Sequence, residues 1–375
     1  MQLFDLGWND YFSQQFEKYK INSDIKKEQN TLPARVSCEH RNLYHVISEN
    51  GDLTAEISGR FRHEAGSRAD FPVVGDWVVI TPHTDNKRST IHAVLPRQSF
   101  FSRKAILGGG PKYGMGKTEE QVLVANINSV FLVSGLDNDF NLRRIERYLT
   151  IAWDSGATPV VVLNKSDLSE NTEEQVEKVE EVAPGVPIYP VSAKDNEGLD
   201  ALMQHIGKGQ TVTFLGSSGV GKSSIINCLL GEDLMKVGNL RKSDGRGRHT
   251  TTYRELLILP DGGIVIDTPG IRELQIWTDE KGLEKTFGDI EQLAKECKFK
   301  DCSHETEPGC AIQKALKDGT LDKKRYQGYL KLQKELTHLK IRQDQKETRR
   351  VNREWDKKVR RYHKDMKELR KKGLA

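Results

Sequence analysis

At 375 residues, with 36% hydrophobic and 30% charged content, the chain is too long for one typical domain and is expected to hold two or three soluble globular ones. No run of 18 apolar residues occurs, so no membrane span is expected, and Met1 to Trp8 lacks a basic segment followed by an apolar stretch, so secretion is not expected and the cytoplasm is the default. The net charge of +4 is modest but uneven: from Lys340 to Ala375 fifteen Lys or Arg stand against six Asp or Glu, which points to a polyanionic partner.

In chain order, residues 1–33 are polar, without clear punctuation, and read as a partly ordered arm. Short alternating segments follow over residues 34–103: Leu43–Ile47, Leu53–Ile57, Val73–Ile80 and Ser89–Leu95, with Asn50-Gly51 where a hairpin turn belongs. Such strands suit a small closed β-barrel, an OB-fold, and an SH3-like barrel would present a similar pattern. Gly108 to Gly116 reads as a flexible boundary loop. Over residues 104–280 the rhythm changes. Apolar runs at Ser129–Val133, Pro159–Leu163, Thr211–Leu215 and Gly263–Asp267 read as buried parallel strands, with helical patterns at Leu142–Trp153 and Thr172–Val182, the signature of a doubly wound α/β domain. Residues 281–375 read as helical and cysteine-bearing, then basic; Leu332, Leu336 and Leu339 share a helix face, as do Val351, Trp355 and Val359.

The segment Gly216-Ser217-Ser218-Gly219-Val220-Gly221-Lys222-Ser223 matches a full phosphate loop between a strand and a helix that opens at Ser224. Its glycines let backbone N–H groups converge on phosphate oxygens at a helix N-terminus, Lys222 would reach the β- and γ-phosphates, and the Ser223 hydroxyl would ligate Mg²⁺. Asn164-Lys165-Ser166-Asp167 ends a β-branched run and resembles a guanine clamp. Asp167 would accept from guanine N1–H and the 2-amino group, the Lys165 stem would lie over the base, Asn164 would brace neighbouring loops, and a backbone N–H near Ser192-Ala193 would meet guanine O6. Asp267 would hold Mg²⁺ through water, and the Gly270 N–H would meet the γ-phosphate. Between them, Gly245 to Thr252 suits a mobile switch whose Thr250 or Thr251 completes the Mg²⁺ shell; a solvated basic loop is the plainer alternative. Ile271 stands where many GTPases carry a water-orienting glutamine, so slow basal hydrolysis is expected. The missing positioning would come from a partner or from His249, which reads equally as a switch histidine contacting RNA or solvent.

The base-reading segment precedes the phosphate loop by 52 positions, the reverse of an ordinary GTPase. Both can serve one nucleotide only if the sheet is threaded from another starting point, so the domain reads as a circularly permuted GTPase. Cys297, Cys302, His304 and Cys310 offer three thiols and an imidazole within fourteen residues, a Cys₃His set suited to one closed structural zinc site in a reducing compartment. Cys38 and Cys228 read as buried small hydrophobes.

These residues together resemble the RsgA (YjeQ) family of ribosome-dependent bacterial GTPases. The resemblance runs from the barrel through the permuted motifs to Cys297-x4-Cys302-x-His304-x5-Cys310. It implies an N-terminal OB-fold, a permuted P-loop GTPase domain and a mainly helical zinc-binding C-terminal domain. It also implies late maturation of the 30S subunit, contact with 16S rRNA and hydrolysis stimulated by the subunit; a monomer is expected. The resemblance carries GTP contacts onto Asn164 to Asp167 and Gly216 to Ser224. An RNA-binding scaffold with a passive nucleotide site is a second reading. A phosphate-loop ATPase or small-molecule kinase is a third, disfavoured by Asn164 to Asp167. The basic tail has a plain alternative as a solvated helical surface.

Overall fold

Period-two patterning in the first third of the chain closes a barrel. The computed structural model describes residues 2–22, 30–40, 43–83, 87–107, 117–231, 254–267, 280–338 and 340–341. Strands β1 (Leu32–His40), β2 (Leu43–Ser48), β3 (Gly51–Ile57), β4 (Trp77–Pro82) and β5 (Arg88–Val94) form it. They run in the order β1-β2-β3-β5-β4, with β4 returning to β1 and β3 parallel to β5. That closed circuit is the OB-fold, and it sets aside the SH3-like alternative. Gly51, at φ +96°, closes the β2–β3 hairpin. Val36, Val46, Leu53, Val78, Ile80 and Ile91, alternate residues along their strands, fill the interior.

The N-terminal arm is more ordered than its sparse punctuation suggests. After a 3₁₀ turn at Leu3–Leu6, helix α1 (Asp10–Asn22) carries Phe12 and Phe16. Phe12 and Phe16, four apart on one face of α1, join Trp8 and the buried Trp77 in one cluster. Trp8 meets Trp77 edge-on with ring centroids 4.7 Å apart.

A short helix α2 (Gly59–Glu64) follows β3, and after the barrel a two-stranded antiparallel ribbon, β6 (Phe100–Leu107) and β7 (Lys117–Ala125), leads onward. The expected loop at 108–116 lies outside the described residues. Asp76 pins the barrel's exit. Buried, it receives Arg97 Nε and Nη2, each at 2.8 Å, and the Val73 N–H at 2.8 Å. At its neighbour Gly75, with φ +91°, a Cβ would lie 2.1 Å from the carbonyl oxygen of Ala125.

The second part of the sheet comprises β8 (Ser129–Gly135), β9 (Thr158–Asn164), β10 (Ile188–Val191), β11 (Thr211–Gly216), β12 (Glu255–Ile258) and β13 (Ile264–Asp267), in the order β10-β9-β8-β11-β13-β12. All are parallel except β12, antiparallel to β13. Every residue of β8 is buried, the reason it reads as a continuous apolar run. Helices α3 (Leu142–Ser155), α4 (Thr172–Val182), α5 (Asp200–Met203) and α6 (Lys222–Leu230) connect them. A single bridge, Cys38 to Glu255, joins β1 to β12 and makes one 11-stranded sheet of barrel and α/β domain.

Helices α7 (Glu280–Thr286) and α8 (Gly288–Lys295) precede the cysteine cluster, and α9 (Ala311–Asp318) follows it. The chain divides into two compact units at residues 312 and 313. In the second, a helix over residues 323–338 buries Tyr326, Tyr329, Leu332 and Leu336, bearing out the expected Leu332/Leu336 face. Leu339 and the tail from 342, including Val351, Trp355 and Val359, lie outside the described residues. Among the described residues no helix is long and apolar enough to cross a membrane.

Candidate functional site

The parallel strands end level along one edge of the sheet. In register, Gly216 faces Val133, Gly135 faces Asn164, and Asn164 faces Val191. Open α/β sheets bind ligands at this carboxyl edge, beside the strand where the connections change direction. Here β8 and β11 sit side by side although 75 residues of chain, carrying the base-reading segment, separate their ends.

The phosphate loop runs from the end of β11 into α6. Gly219 and Gly221 adopt φ +77° and +100°, conformations that favour glycine. A Cβ on Gly216 would lie 2.5 Å from the Val133 carbonyl oxygen, and one on Gly221 would lie 2.1 Å from Asn164 Nδ2. Lys222 Nζ curls back and donates to the carbonyls of Gly216 at 2.7 Å and Ser217 at 2.6 Å. The ammonium is thereby held over the loop while N–H groups at the start of α6 have no carbonyl of their own helix. Ser218 and Gly219 are exposed, Val220 buries its side chain, and Ser223 and Ser224 begin the helix half-buried.

Asn164 ties the two motifs together. Its side chain is buried, its Nδ2 donates to the Val220 carbonyl at 2.8 Å, and its Oδ1 accepts from the Ala193 N–H at 3.1 Å. One amide thus spans the end of β9, the phosphate loop and the turn after β10. Lys165 holds φ +66°, a left-handed conformation uncommon for a side-chain-bearing residue, and turns the chain into a 3₁₀ turn at Ser166–Leu168. Asp167 Oδ1 accepts from Ser192 Oγ at 2.9 Å, and Lys194 Nζ lies 3.5 Å from Oδ2. The Ser192 hydrogen bond, reinforced by Lys194, holds the Asp167 carboxyl below its ordinary value and keeps it an acceptor. Asp267 ends β13, beside β11. His249, Thr250, Thr251, Gly270 and Ile271 lie outside the described residues, as does the whole expected switch at 245–252.

Two residues escaped the sequence reading. Asp137 Oδ2 pairs with Lys165 Nζ at 2.6 Å, so this lysine rests on a carboxylate at the edge of the site. Its hydrogen bond lowers the Asp137 pKa. Asp139 accepts from the Ser217 hydroxyl and from Arg144 Nη1, the latter at 2.6 Å. Burial works against charge on Asp139, but the Arg144 and Ser217 hydrogen bonds outweigh it. The available signal was position: Asp137 and Asp139 directly follow a buried strand of a doubly wound sheet, where ligand loops emerge.

Cys297, Cys302, His304 and Cys310 converge, with all ligand atoms within 4.8 Å of one another. The Cys297 and Cys310 sulfurs are 3.8 Å apart, far beyond a disulfide and equal to the edge of a tetrahedron with metal–sulfur bonds of about 2.3 Å. Both sulfurs lie 3.5 Å from His304 Nδ1, which meets the same tetrahedron. Local backbone geometry builds the cup: His304 sits at φ +61°, Gly309 at φ +79°, and the Ala311 N–H points at Cys297 Sγ at 3.4 Å. Glu307 gathers the intervening loop, accepting from the Ser303, Glu305 and Thr306 N–H groups, and the Ser303 hydroxyl helps pull its carboxyl down to about 2. Burial and the adjoining thiols push the Cys302 thiol up to about 11. The donor set fits a metal ion. Cys38 is buried as expected; Cys228 is only half-buried and its thiol points to the Ala193 carbonyl at 3.4 Å, because α6 packs against the loop after β10.

Comparison with known proteins agrees with this geometry. Residues 94–277 match the family model described as RsgA GTPase. The small ribosomal subunit biogenesis GTPase RsgA of Opitutus terrae is 45% identical over 367 residues, covering 95% of this chain and 96% of that one. RsgA 2 of Lactiplantibacillus plantarum is 43% identical over 351 residues, covering 92% and 96%. Among solved structures, YjeQ from Thermotoga maritima superposes with TM-score 0.59 at 28% identity, over 82% of this chain and 99% of that one. YloQ, described as a circularly permuted GTPase, shares the fold with TM-score 0.57 at 24% identity over 84% and 98%. With the base-reading strand threaded before the phosphate loop and this breadth of similarity, the chain belongs to the RsgA GTPase family.

Proposed function

We propose that this protein is a Mg²⁺-dependent GTP hydrolase that acts in late assembly of the 30S ribosomal subunit, in the cytoplasm and as a monomer, with turnover stimulated by the subunit. The observation that carries the reading is the Asn164 side chain, which locks the base-reading segment to the phosphate loop across 56 residues. Guanine would be read by the Asp167 carboxylate, with Ser192 holding it in place and Ala193 presenting its backbone N–H nearby. The Lys165 ammonium would leave its pairing with Asp137 only as far as its stem needs to cover the base. Lys222 and the N–H groups from Gly219 to Ser224 would hold the phosphates. Ser223 and Asp267 are hard oxygen donors suited to Mg²⁺, which would neutralise charge on the terminal phosphates. Thr251, Gly270 and His249 are assigned to γ-phosphate sensing and water positioning.

The 16S rRNA is the partner best suited to the barrel and the basic C-terminal segment, through phosphate contacts and shape. Zinc is the metal best suited to Cys297, Cys302, His304 and Cys310, as a closed structural site. In this reading the arm (1–33), barrel (34–103), G domain (104–280) and zinc-binding helical region (281–375) are the working parts. Turnover of GTP titrated with isolated 30S and 50S subunits tests the proposal. Stimulation by 30S alone is expected; equal rates with neither, either or both would refute subunit dependence.

A further inference from the structure

Lys165 reaches across the carboxyl edge of the sheet. Its backbone follows β9, while its ammonium sits 2.6 Å from Asp137 Oδ2, on the loop after β8. Neighbouring strands lie about 4.8 Å apart, a gap that a lysine stem spans. In the order β10-β9-β8-β11, Asp167 turns toward β10 through Ser192, and Lys165 turns toward β8, the strand beside the phosphate-loop strand. The stem therefore runs between the base-reading carboxylate and the phosphate loop. Both partners keep part of their side chains in solvent, 29% for Lys165 and 26% for Asp137, so the pair is not sealed inside the protein.

The carboxylate is itself fixed. Its Oδ1 accepts from the Asp139 N–H at 3.0 Å, which leaves Oδ2 for the lysine. Gly135 makes room for this arrangement, since a Cβ there would lie 2.6 Å from Asp137 Oδ1. Gly135 does not adopt a positive φ, so space and not backbone conformation calls for glycine. The loop is anchored to both halves of the site: the Leu136 N–H donates to the Asn164 carbonyl at 2.8 Å, and Asp139 accepts from the Ser217 hydroxyl of the phosphate loop. A part-exposed ion pair adds little to folding stability, so its effect belongs to binding. An unanchored lysine must give up rotamer freedom when a ligand fixes its stem, a cost worth about two- to tenfold in affinity.

We propose that Asp137 is a positioning residue for guanine nucleotide binding: it anchors the Lys165 ammonium, so that the stem is already laid where the base docks. This rests on the guanine reading above and adds to it a residue that acts through Lys165 alone. Because the stem covers the face of the base and does not read its edge, the anchor serves guanine and hypoxanthine alike. Edge reading stays with Asp167.

The test measures equilibrium binding of GDP and inosine diphosphate to the full chain and to Asp137→Asn. Asparagine keeps an oxygen for the Asp139 N–H and removes the charge that faces Lys165. A loss of about two- to tenfold, equal for the two nucleotides, is expected. Beside Lys165→Met, which keeps an apolar stem and lacks the ammonium, Asp137→Asn should have no further effect. Gly135→Ala displaces the carboxylate without removing its charge; it should weaken binding in the same direction and be equally silent beside Lys165→Met. Affinity unchanged by Asp137→Asn overturns the proposal. So does a loss that persists beside Lys165→Met, which would mean action through the loop, or a loss confined to GDP, which would mean action on the base edge. Asp167→Asn run alongside keeps two failures apart. A shift toward xanthine nucleotides with a silent Asp137→Asn sinks the anchor alone, whereas an unaltered base preference sinks the guanine reading and the anchor with it.

Discussion

Replacing Asn164 by alanine removes the one side chain that touches both halves of the permuted site. The Val220 carbonyl loses a 2.8 Å donor and the Ala193 N–H a 3.1 Å acceptor. Asn164 is buried, so both groups lose their partner away from bulk solvent. An unmet buried group costs about 1–3 kcal/mol, and the Ala193 N–H, nearer to solvent, costs less, so a total of about 2–4 kcal/mol is expected. If the loss falls on the arrangement that binds nucleotide, GTP affinity drops by about 30- to 1,000-fold, at about 1.4 kcal/mol per decade. Urea unfolding with and without GTP, together with equilibrium binding of a fluorescent guanine nucleotide, separates lost stability from lost affinity. Asn164→Asp is the companion: it keeps the acceptor for Ala193 but sets oxygen against the Val220 carbonyl, and should bind nucleotide no better than the alanine variant. A stability change within about 0.5 kcal/mol and unaltered affinity for Asn164→Ala would refute the coupling.

Asp167→Asn should shift preference from guanine toward xanthine nucleotides, measured by competition; an unchanged preference removes Asp167 from the base contact. Because the Ser192 hydrogen bond holds the Asp167 pKa below the usual carboxylate range, the charged form is present at neutral pH and is lost only as pH falls through the lowered value. Guanine affinity should therefore show no Asp167 titration between about pH 5 and 8. Cys302→Ser should lose the metal, read by elemental analysis, and lower the unfolding temperature; chelation of the unsubstituted chain should do the same, and a metal-free chain of full stability would contradict the assignment. Gly75→Ala places a methyl group 2.1 Å from the Ala125 carbonyl in a left-handed conformation. It should cost at least about 2 kcal/mol in urea unfolding, and a neutral result would mean that the barrel's exit is not so constrained.

The chemistry of the phosphate loop, the base-reading segment and the Cys₃His set was legible in the sequence because each is a local pattern. Glycines at set spacing, a carboxylate closing an apolar run and ligands within fourteen residues carry their meaning within one or two turns of chain. The reversed order of Asn164 and Lys222 was enough to require a permuted sheet. What sequence could not supply were pairings between distant segments. The choice of OB-fold over an SH3-like barrel rests on β3 running parallel to β5, the role of Asp139 on its meeting Ser217 across 78 residues, and the packed arm on an aromatic stripe finding Trp77. The hydrogen bonds from the buried Arg35 to the carbonyls of Leu6, Gly75 and Asn126 exist only because segments far apart in sequence close around it. Local patterns repeat the same backbone preferences wherever they occur, whereas long-range contacts depend on which surfaces the whole chain brings together, and that only the tertiary structure decides.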